Sequence, residues 1–349
     1  MQIIIHAPNV HVGGGKALLL ALLATVGNEE MTVFLDARLG RPESLTASIR
    51  VRSVKPNVLD RFRAELELWK IARKGDFVLC FGNLPPLIPN KGNVSVYLQN
   101  RYLLWRRRTH GLMVKHRLRI EIERLWLRWC LRRSELIVQT PSMAREVASA
   151  LDTNRVRVIP YVERDAVQTR CQDDSLCPPG DFVYVASGEP HKNHRNLVEA
   201  WVVLANEGLF PRLYLTLDSE HDQSLVRWIE KKRIKEGLDI QIVGVLSKKG
   251  LADLYGKCGA LIYPSQFESL GLPLVEAAQH GLSIIAAELD YVRDVCDPLH
   301  TFDPDSSTSI ARAVKRYLGS GSDKVPLLTP ETFMREVLRD RYERGVSGN

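Results

Sequence analysis

The stretch that decides the fold is Phe267-Glu268-Ser269-Leu270-Gly271-Leu272-Pro273-Leu274-Val275-Glu276. The apolar run 260–263 comes just before it and predicts a buried strand. Because proline suits the first turn of a helix, we expect a helix that begins near Pro273. Glu268 therefore lies in a glycine-containing loop, and Glu276 lies on the helix that follows it.

The loop between the two carboxylates is suited to an anion, because several backbone N–H groups of the loop and of the helix start lack internal partners. These groups belong to Ser269, Leu270, Gly271 and Leu272. Carboxylates on either side of them can accept hydrogen bonds from hydroxyl groups. A ligand that carries phosphates between two polyhydroxylated ends would satisfy the whole arrangement. A nucleotide-sugar is such a ligand.

Glu268 and Glu276, with Gly-Leu-Pro between them and Ala-Ala-Gln-His-Gly after them, resemble the signature of retaining GT-B-fold glycosyltransferases of family four. The resemblance implies that Glu268 contacts the transferred sugar and that Glu276 holds the ribose of the donor. It also implies that the amides of the loop meet the diphosphate. An ordinary loop and helix remain the alternative reading of these residues.

The start of the chain predicts a second glycine-rich turn. A β-branched run at 2–6 predicts a buried strand, Gly13-Gly14-Gly15 follows, and a helical run covers 17–26. Strand, glycine-rich turn and helix are the opening of a doubly wound domain. The spacing matches neither a dinucleotide fingerprint nor a P-loop. The resemblance implies that these glycines lie against the donor diphosphate across a cleft, while a plain tight turn is the alternative.

A lysine motif opens the second half of the chain. Lys192 follows a predicted strand, 182–186, where its ammonium can neutralise a diphosphate and the charge of a leaving group. The block resembles the donor-phosphate motif of the family, in which many members carry an arginine where this chain has Ser187. By the same resemblance, Gly244 lies near the nucleotide base.

The basic segment 101–133 holds eleven Lys and Arg residues against two acidic ones. Its apolar residues share one helical face, which is typical of a helix at a membrane interface. The alternatives are a solvated helix with its apolar side in the core, and a nucleic-acid surface, which no motif supports. The residues predicted to contact an acceptor or a membrane are Gln99 and Asn100, just before this segment, and Arg106, Arg107, Arg108, Arg117, Arg124, Trp126 and Arg128 within it.

Many relatives in the family place a histidine of the first domain against the transferred sugar. In this chain the predicted strand 94–98 ends in Gln99-Asn100, so an amide is expected in that position. His110 and His116 are later candidates.

The fold predicted from this alternation is α/β, with two doubly wound, Rossmann-like parallel-sheet domains facing across a cleft, which is the GT-B fold. The length of the chain, 349 residues, suits two domains. We expect an acceptor-binding domain over 1–160, a linker over 161–180, a nucleotide-sugar-binding domain over 181–325, and a C-terminal helix over 326–349 that packs back on the first domain.

The function implied by the resemblance is retaining transfer of a hexose from a nucleotide-sugar to a lipid-linked or oligosaccharide acceptor, in surface-polysaccharide or lipopolysaccharide synthesis. Glu268 and Lys192 are the expected catalytic residues. No metal, other cofactor or nucleic acid is expected. Scattered cysteines and the lack of a long apolar run favour a cytoplasmic protein, peripheral on the inner membrane face. The rivals are a sugar-nucleotide epimerase and a non-catalytic glycan- or RNA-binding relative.

Overall fold

The computed structural model describes residues 2–24, 31–42, 45, 49–104, 114–131, 134–161 and 181–320. Within these residues the chain forms two parallel sheets, each flanked by helices. The predicted linker therefore lies outside the described residues except for Tyr161, and the predicted C-terminal helix lies outside them entirely. Within the described part of the chain, no helix has the length and apolarity needed to cross a bilayer.

The first domain has a seven-stranded sheet and four helices. Its strands are β1 (Ile3–Ala7), β2 (Met31–Asp36), β3 (Arg50–Val54), β4 (Phe77–Cys80), β5 (Asn93–Tyr97), β6 (Glu135–Val138) and β7 (Val156–Val158). Its helices are α1 (Gly13–Ala24), α2 (Val58–Ile71), α3 (Val114–Cys130) and α4 (Pro141–Leu151). The strand order is β3-β2-β1-β4-β5-β6-β7, and every pairing is parallel.

The second domain repeats this plan with six strands. They are β8 (Asp181–Tyr184), β9 (Arg212–Leu215), β10 (Ile240–Ile242), β11 (Ala260–Tyr263), β12 (Ser283–Ala287) and β13 (His300–Phe302). The helices are α5 (His194–Asn206), α6 (Gln223–Glu236), α7 (Lys248–Tyr255), α8 (Leu272–Gln279), α9 (Asp290–Arg293) and α10 (Ser307–Tyr317). The order β10-β9-β8-β11-β12-β13 is again wholly parallel, so the predicted pair of doubly wound domains is confirmed.

Apolar residues fill both faces of each sheet, as expected of parallel sheets covered by helices. In β1, successive residues serve opposite faces: Ile4 packs with residues of α2, α3 and α4, and Ile5 packs with residues of α1. All four residues of β11 are buried. The continuous hydrophobic runs of the sequence are therefore central strands.

The strand order reverses between β1 and β4 in the first sheet and between β8 and β11 in the second. Such a switch point opens a crevice at the carboxyl ends of the strands, where ligands of open α/β sheets bind. Gly13 follows β1 and Lys192 follows β8, while Glu268 follows β11. The topology therefore places all three at the switch points.

The helix α1 begins at Gly13, four residues before the predicted start. The three glycines are thus its first turn, where backbone N–H groups have no partner within the helix. Gly13 has a φ of +65°, a conformation that favours glycine.

The two domains touch at one edge of the crevice through α4 and α9. The backbone N–H of Ser142 donates to Asp294 Oδ2 at 2.7 Å, and Arg145 lies 3.4 Å from Asp290. Thr140, which caps α4, also donates its hydroxyl to the carbonyl of Ser269 at 3.3 Å. The loop that carries Glu268 is therefore held by the first domain as well as by its own.

Candidate active site

A cleft with a volume of about 830 Å³ lies between the domains. The first domain lines it with the start of α1 and the loops after β4 and β5. The second domain lines it with the loops after β8 and β11 and the start of α8. Most of the donor-site residues predicted from the sequence line this cleft: Gly13, Gly14, Gly15, Ser187, Lys192, Glu268, Ser269, Leu270, Gly271, Leu272 and Glu276.

Glu268 is held by three donors on one carboxylate oxygen. Its Oε1 accepts from Lys192 Nζ at 2.6 Å, from Ser265 Oγ at 2.6 Å and from Tyr263 Oη at 3.2 Å. Burial raises the pKa of the Tyr263 hydroxyl well above its usual value, so this group stays protonated and donates. The second oxygen, Oε2, has no partner among the described residues. One oxygen of Glu268 is thus fixed, and the other remains available to a ligand.

Lys192 ends a short 3₁₀ turn, Pro190–Lys192, which follows β8. The Tyr184 hydroxyl donates to the backbone carbonyl of Lys192 at 2.6 Å and so holds the turn from inside the domain. The ammonium and the Glu268 carboxylate are both mostly buried, with 17% and 13% of the side chains exposed. A partly desolvated cation in a cleft attracts a diphosphate more strongly than one in bulk water.

The starts of two helices face each other across the cleft. Helix α8 begins after Gly271, whose φ is +78°, and Pro273 occupies its first turn as predicted. A Cβ on Gly14, in the first turn of α1, would lie 3.3 Å from Leu272 Cδ1. The missing side chain lets the two helix starts approach closely. Both starts carry the N–H groups and positive dipole that favour phosphate.

Glu276 lies further along α8 and also lines the cleft. Its Oε2 accepts from the Tyr255 hydroxyl at 3.2 Å. Val245, Leu246 and Leu251 form an apolar patch of the cleft lining. Gly244 itself is not part of that lining, but it has a φ of +75° and immediately precedes the patch. This part of the cleft therefore offers an apolar surface for a nucleotide base, and next to it a carboxylate that can accept hydrogen bonds from a diol.

The wall near Ser187 is acidic where many relatives carry an arginine. Ser187 donates to the Glu189 carboxylate, and Asp222 accepts from the Gly188 N–H at 3.1 Å. Burial raises the pKa of Asp222. Among the described residues of the second domain that line the cleft, Lys192 is the one lysine, and there is no arginine.

Four residues join the two domains beside Glu268, and we call them the interdomain cluster: Arg101, Tyr102, His191 and Phe267. The buried Arg101 guanidinium donates to the Glu146 carboxylate and to the backbone carbonyl of Glu268, and it lies 4.7 Å from the centre of the Phe267 ring. The Tyr102 hydroxyl is 2.8 Å from His191 Nδ1. Burial lowers the pKa of His191, which favours the neutral ring.

The sequence pattern does not predict this cluster. In the sequence, Arg101 is only the first charge of the basic segment 101–133. The available signal was its position, because it comes directly after Gln99-Asn100 at the carboxyl end of a strand.

Gln99 and Asn100 do line the cleft, but in different ways. Asn83, in a left-handed conformation with φ +71°, accepts from the backbone N–H groups of both residues at 2.6 and 2.9 Å. Asn100 uses its own side-chain oxygen to cap the next turn at Tyr102 N. Gln99 Oε1 would lie 3.1 Å from a Cβ on Gly15, so its amide packs against the start of α1.

Five of the predicted membrane residues, together with the candidate histidines His110 and His116, either are at least partly exposed or lie outside the described residues. Arg106, Arg107 and Arg108, like His110, lie outside the described residues. Arg128 is exposed on α3, and Arg117 and His116 belong to the same helix, with Arg117 half-buried and His116 exposed.

Two of the predicted membrane contacts bond inside the first domain; Arg124 is wrong as a surface position, whereas Trp126 is half-buried. Arg124 is buried: it donates to the Tyr102 carbonyl at 3.1 Å and pairs with Glu121 at 2.6 Å. Trp126 donates its indole N–H to the Pro85 carbonyl at 3.0 Å. Both side chains hold α3 against the first domain, because their polar groups find backbone carbonyls inside it.

The apolar stripe of α3 is exposed, which contradicts the alternative that it packs in the core. Leu118, Ile122, Leu125 and Trp129 are 62, 56, 67 and 86% exposed. The core is supplied from the other side of the helix by Ile120 and Leu127.

The sequence contains one Asp-Xaa-Asp triplet, Asp303-Pro304-Asp305, a motif that holds a metal in some glycosyltransferases. It forms the turn before α10 and does not line the cleft. The Pro304 carbonyl accepts from Asn193 at 2.7 Å, and the Asp303 N–H donates to Ser309. Its role in this structure is to hold a turn.

Comparison with known proteins agrees with this geometry. Residues 178–325 match the family described as Glycosyl transferases group 1. The chain is 30% identical over 140 residues to the serotype-specific mannosyltransferase WbdA of Escherichia coli, a match that covers 39% of this chain and 17% of that protein. It is 27% identical over 154 residues to the O-antigen chain mannosyltransferase B of Escherichia coli, covering 43% and 40% of the two chains. The matches thus span less than half of these relatives.

The solved structure of Anabaena Alr3699/HepE in complex with UDP-glucose has a TM-score of 0.67 to this chain at 14% identity, covering 90% of this chain and 89% of that one. That likeness extends over both domains and agrees with the two facing parallel sheets described above. The fold of the chain is therefore GT-B, and the part of it that carries Lys192, Glu268 and Glu276 matches the group 1 glycosyl transferases.

Proposed function

We propose that this protein is a retaining glycosyltransferase that moves a hexose from a nucleotide-sugar to a hydroxyl of a glycan acceptor in the synthesis of a surface polysaccharide. The observation that carries the proposal is the pair of Lys192 and Glu268, at 2.6 Å, which faces the start of α1 across the cleft. The pair lies in the domain that matches the group 1 glycosyl transferases.

The donor fits the second domain in the following way. The apolar patch at Val245 takes the base, and Glu276 accepts from the ribose hydroxyls. Lys192 and the N–H groups at the start of α8 take the diphosphate, aided by the start of α1. Glu268 Oε2 then accepts from a hydroxyl of the sugar that is to be transferred.

The reaction breaks the bond between the anomeric carbon and the phosphate oxygen, and it forms a bond from that carbon to the acceptor oxygen. The acceptor attacks on the face that the leaving group departs from, and its proton passes to the leaving phosphate oxygen. The configuration is therefore retained. This route uses no nucleophile of the protein. Lys192 contributes by stabilising the negative charge that develops on the diphosphate.

Neither a metal nor another cofactor is required in this proposal, because the ammonium of Lys192 and two helix starts neutralise the leaving group. Transfer is then insensitive to EDTA.

The test is a panel of UDP-, GDP- and dTDP-sugars. We expect at least one nucleotide to raise the Tm of the protein, and its diphosphate to be released when a glycan acceptor is added. The names of the relatives favour a nucleotide-linked mannose and UDP-glucose as first candidates. Epimerisation of a donor without acceptor would support the epimerase reading instead. No Tm shift with any nucleotide would refute transfer.

We propose further that the acceptor is lipid-linked and that the exposed apolar stripe of α3 binds an anionic membrane. Helix α2 adds to this surface, because Phe62 and Trp69 are each 49% exposed. The two helices also share one core cluster, through Leu68 of α2 and Leu127 of α3. A basic helix with a free apolar face is suited to a membrane interface.

Replacing Leu118 and Trp129 by serine is expected to reduce binding to anionic vesicles at least roughly tenfold, since each buried apolar side chain contributes on the order of 1.5–3 kcal/mol. Flotation at low salt measures the effect, and added salt should weaken the binding of the unaltered protein.

The matched control replaces Phe210 and Ile234, two exposed apolar residues of the second domain, by serine. If both double variants float like the unaltered protein, or if the unaltered protein never floats, the membrane proposal is wrong.

A further inference from the structure

The first-domain wall of the cleft is formed largely by uncharged polar side chains. Five carboxamides line it, and we call them the carboxamide wall: Asn9, Asn83, Gln99, Asn100 and Gln139. They come from the loops after β1, β4, β5 and β6. Parallel strands bring these loops to one edge of the sheet, although 130 positions separate the first residue from the last.

Part of this wall is committed to the fold. The side-chain oxygen of Asn83 accepts from Gln99 N and Asn100 N, and the side-chain oxygen of Asn100 accepts from Tyr102 N. These two asparagines therefore shape the loop after β5.

The remaining carboxamides hold polar atoms that the fold does not satisfy. Asn9 Oδ1, Gln99 Nε2 and Gln139 Nε2 are buried without a hydrogen-bond partner among the described residues. Gln139 is only 2% exposed and lies next to the buried hydroxyl of Tyr97, which also lacks a partner in hydrogen-bond geometry. Buried polar atoms of this kind cost free energy until a partner reaches them.

The wall faces the residues that hold the donor sugar. Gln99 packs on Gly15, and the neighbouring Gly14 packs on Leu272, so an unbroken set of contacts runs from the wall to the start of α8. A sugar hydroxyl that attacks a donor carbon beside Glu268 must approach from this side.

The charge of the wall restricts what can bind there. Among the described first-domain residues that line the cleft, Arg101 is the one with a permanent charge, and it serves Glu146 and the Glu268 carbonyl. Across the cleft the lining includes the acids Glu189, Asp218 and Asp222. A carboxylate or phosphate on the acceptor sugar would lose its hydration without gaining a cation, at a high cost.

Sugar hydroxyls match the wall well. Each hydroxyl both donates and accepts, and a carboxamide offers two donors and an acceptor within one rigid group. We propose that the carboxamide wall is the acceptor subsite and that it takes an uncharged, hydroxyl-rich sugar unit, with Asn9, Gln99 and Gln139 as its hydrogen-bond partners. Uronic acids and phosphorylated sugars are excluded. This inference rests on the proposed transfer reaction for the direction of attack, but binding tests it separately.

The experiment compares octyl mannoside, octyl glucoside and octyl galactoside with octyl glucuronide, which carries a carboxylate on an otherwise similar sugar. Saturation-transfer NMR of the full-length protein measures binding without turnover. We expect at least one neutral glycoside to bind and the glucuronide to bind roughly a hundredfold more weakly or not at all. Equal binding of the glucuronide, or binding by none of the neutral glycosides, overturns the inference.

Gln99→Met and Gln139→Met keep the size of the side chain and remove its hydrogen bonds. Each variant should raise the KM for the neutral acceptor roughly tenfold, since a hydrogen bond contributes about 1 kcal/mol or somewhat more. The Tm shift produced by the nucleotide should not change. Gln223→Met, at the exposed start of α6, is the matched control.

The two proposals fail in different ways. A neutral glycoside that binds and is weakened by Gln139→Met, with no diphosphate release from any donor, would refute glycosyl transfer and leave the subsite standing. Transfer to an acceptor whose KM is unaffected by both variants would refute the subsite and leave the transfer reaction standing.

Discussion

Replacement of Glu268 by glutamine is expected to lower the kcat of sugar transfer by roughly a hundredfold to a thousandfold, the range seen when one preorganised electrostatic contact is lost. The variant keeps the size of the side chain and removes its charge. Ser265 and Tyr263 still have an oxygen to bind, so the loop stays in place. The lost interactions are the ion pair with Lys192 and the charged acceptor for a sugar hydroxyl.

While kcat falls, the affinity of Glu268→Gln for the nucleotide diphosphate should stay the same or rise. Lys192 is no longer shared with a carboxylate at 2.6 Å, so it interacts with the diphosphate at least as strongly as before. Isothermal titration with the diphosphate and steady-state kinetics with the donor together separate the two effects. Glu276→Gln should do the reverse, raising the KM for the donor more than it lowers kcat, because Glu276 lies with Tyr255 away from the bond that breaks.

Glu199→Gln is the matched control, since Glu199 pairs with Lys232 at 2.8 Å on the outside of the second domain. It should leave kcat and the diphosphate affinity unchanged. Full activity of Glu268→Gln would contradict the assignment of this carboxylate to the transferred sugar. A loss of diphosphate affinity with kcat unchanged would show that Glu268 serves binding alone.

The proposed donor half of the site was predictable because its parts are local. In each case a buried strand, a loop and a helix start follow one another within one short stretch of the chain, as at 260–276 and 182–197. The carboxyl ends of parallel strands meet at one edge of a sheet, so the loops that carry Lys192 and Glu268 had to be neighbours once two strands were recognised. Periodicity and turn residues contain this information.

The roles of Arg101 and Arg124 were not predictable in the same way. The segment 101–133 contains eleven basic residues, and the neighbours of each arginine in the sequence do not show whether it faces lipid or is buried against a carbonyl. Helical spacing placed Leu118 and Trp129 on a shared face. It did not show that Ile120 and Leu127, on the other side, would supply the core and leave that face exposed. Tertiary packing decides such questions.

The carboxamide wall had no sequence signal beyond Gln99 and Asn100. Asn9, Asn83 and Gln139 come from three further loops and share no spacing. What unites them is that β1, β4, β5 and β6 are consecutive neighbours in the sheet. An acceptor site built from strand order can vary residue by residue. This fits a division in which one domain recognises a common donor and the other a variable acceptor.

Arg101 offers the second large effect, on stability and on turnover. Its guanidinium is 9% exposed and joins Glu146 of its own domain to the backbone of Glu268 in the other. Arg101→Met leaves Glu146 without this partner, and breaking a buried pair from one side costs about 3–5 kcal/mol. The Tm should therefore fall by roughly 10 °C. We expect kcat to fall as well, because the loop that positions Glu268 loses its donor from the first domain.

A double variant separates these two consequences. Arg101→Met combined with Glu146→Met removes both charges and replaces them with apolar groups, so much of the lost Tm should return. The kcat should stay low, because the Glu268 carbonyl still lacks the guanidinium and the Phe267 ring still lacks its cation. Arg212→Met, which removes an exposed pair with Asp239, serves as the control and should alter neither quantity.

The outcome decides whether Arg101 positions the loop of Glu268 or only holds the domains together. If kcat returned with the Tm in the double variant, Arg101 would act through stability alone, and the contacts of Thr140 with Ser269 and of Ser142 with Asp294 would suffice to hold the loop. If kcat stays low while the nucleotide still raises the Tm, the donor is bound but Glu268 is misplaced. The first domain then contributes to catalysis by fixing the position of a carboxylate that belongs to the second.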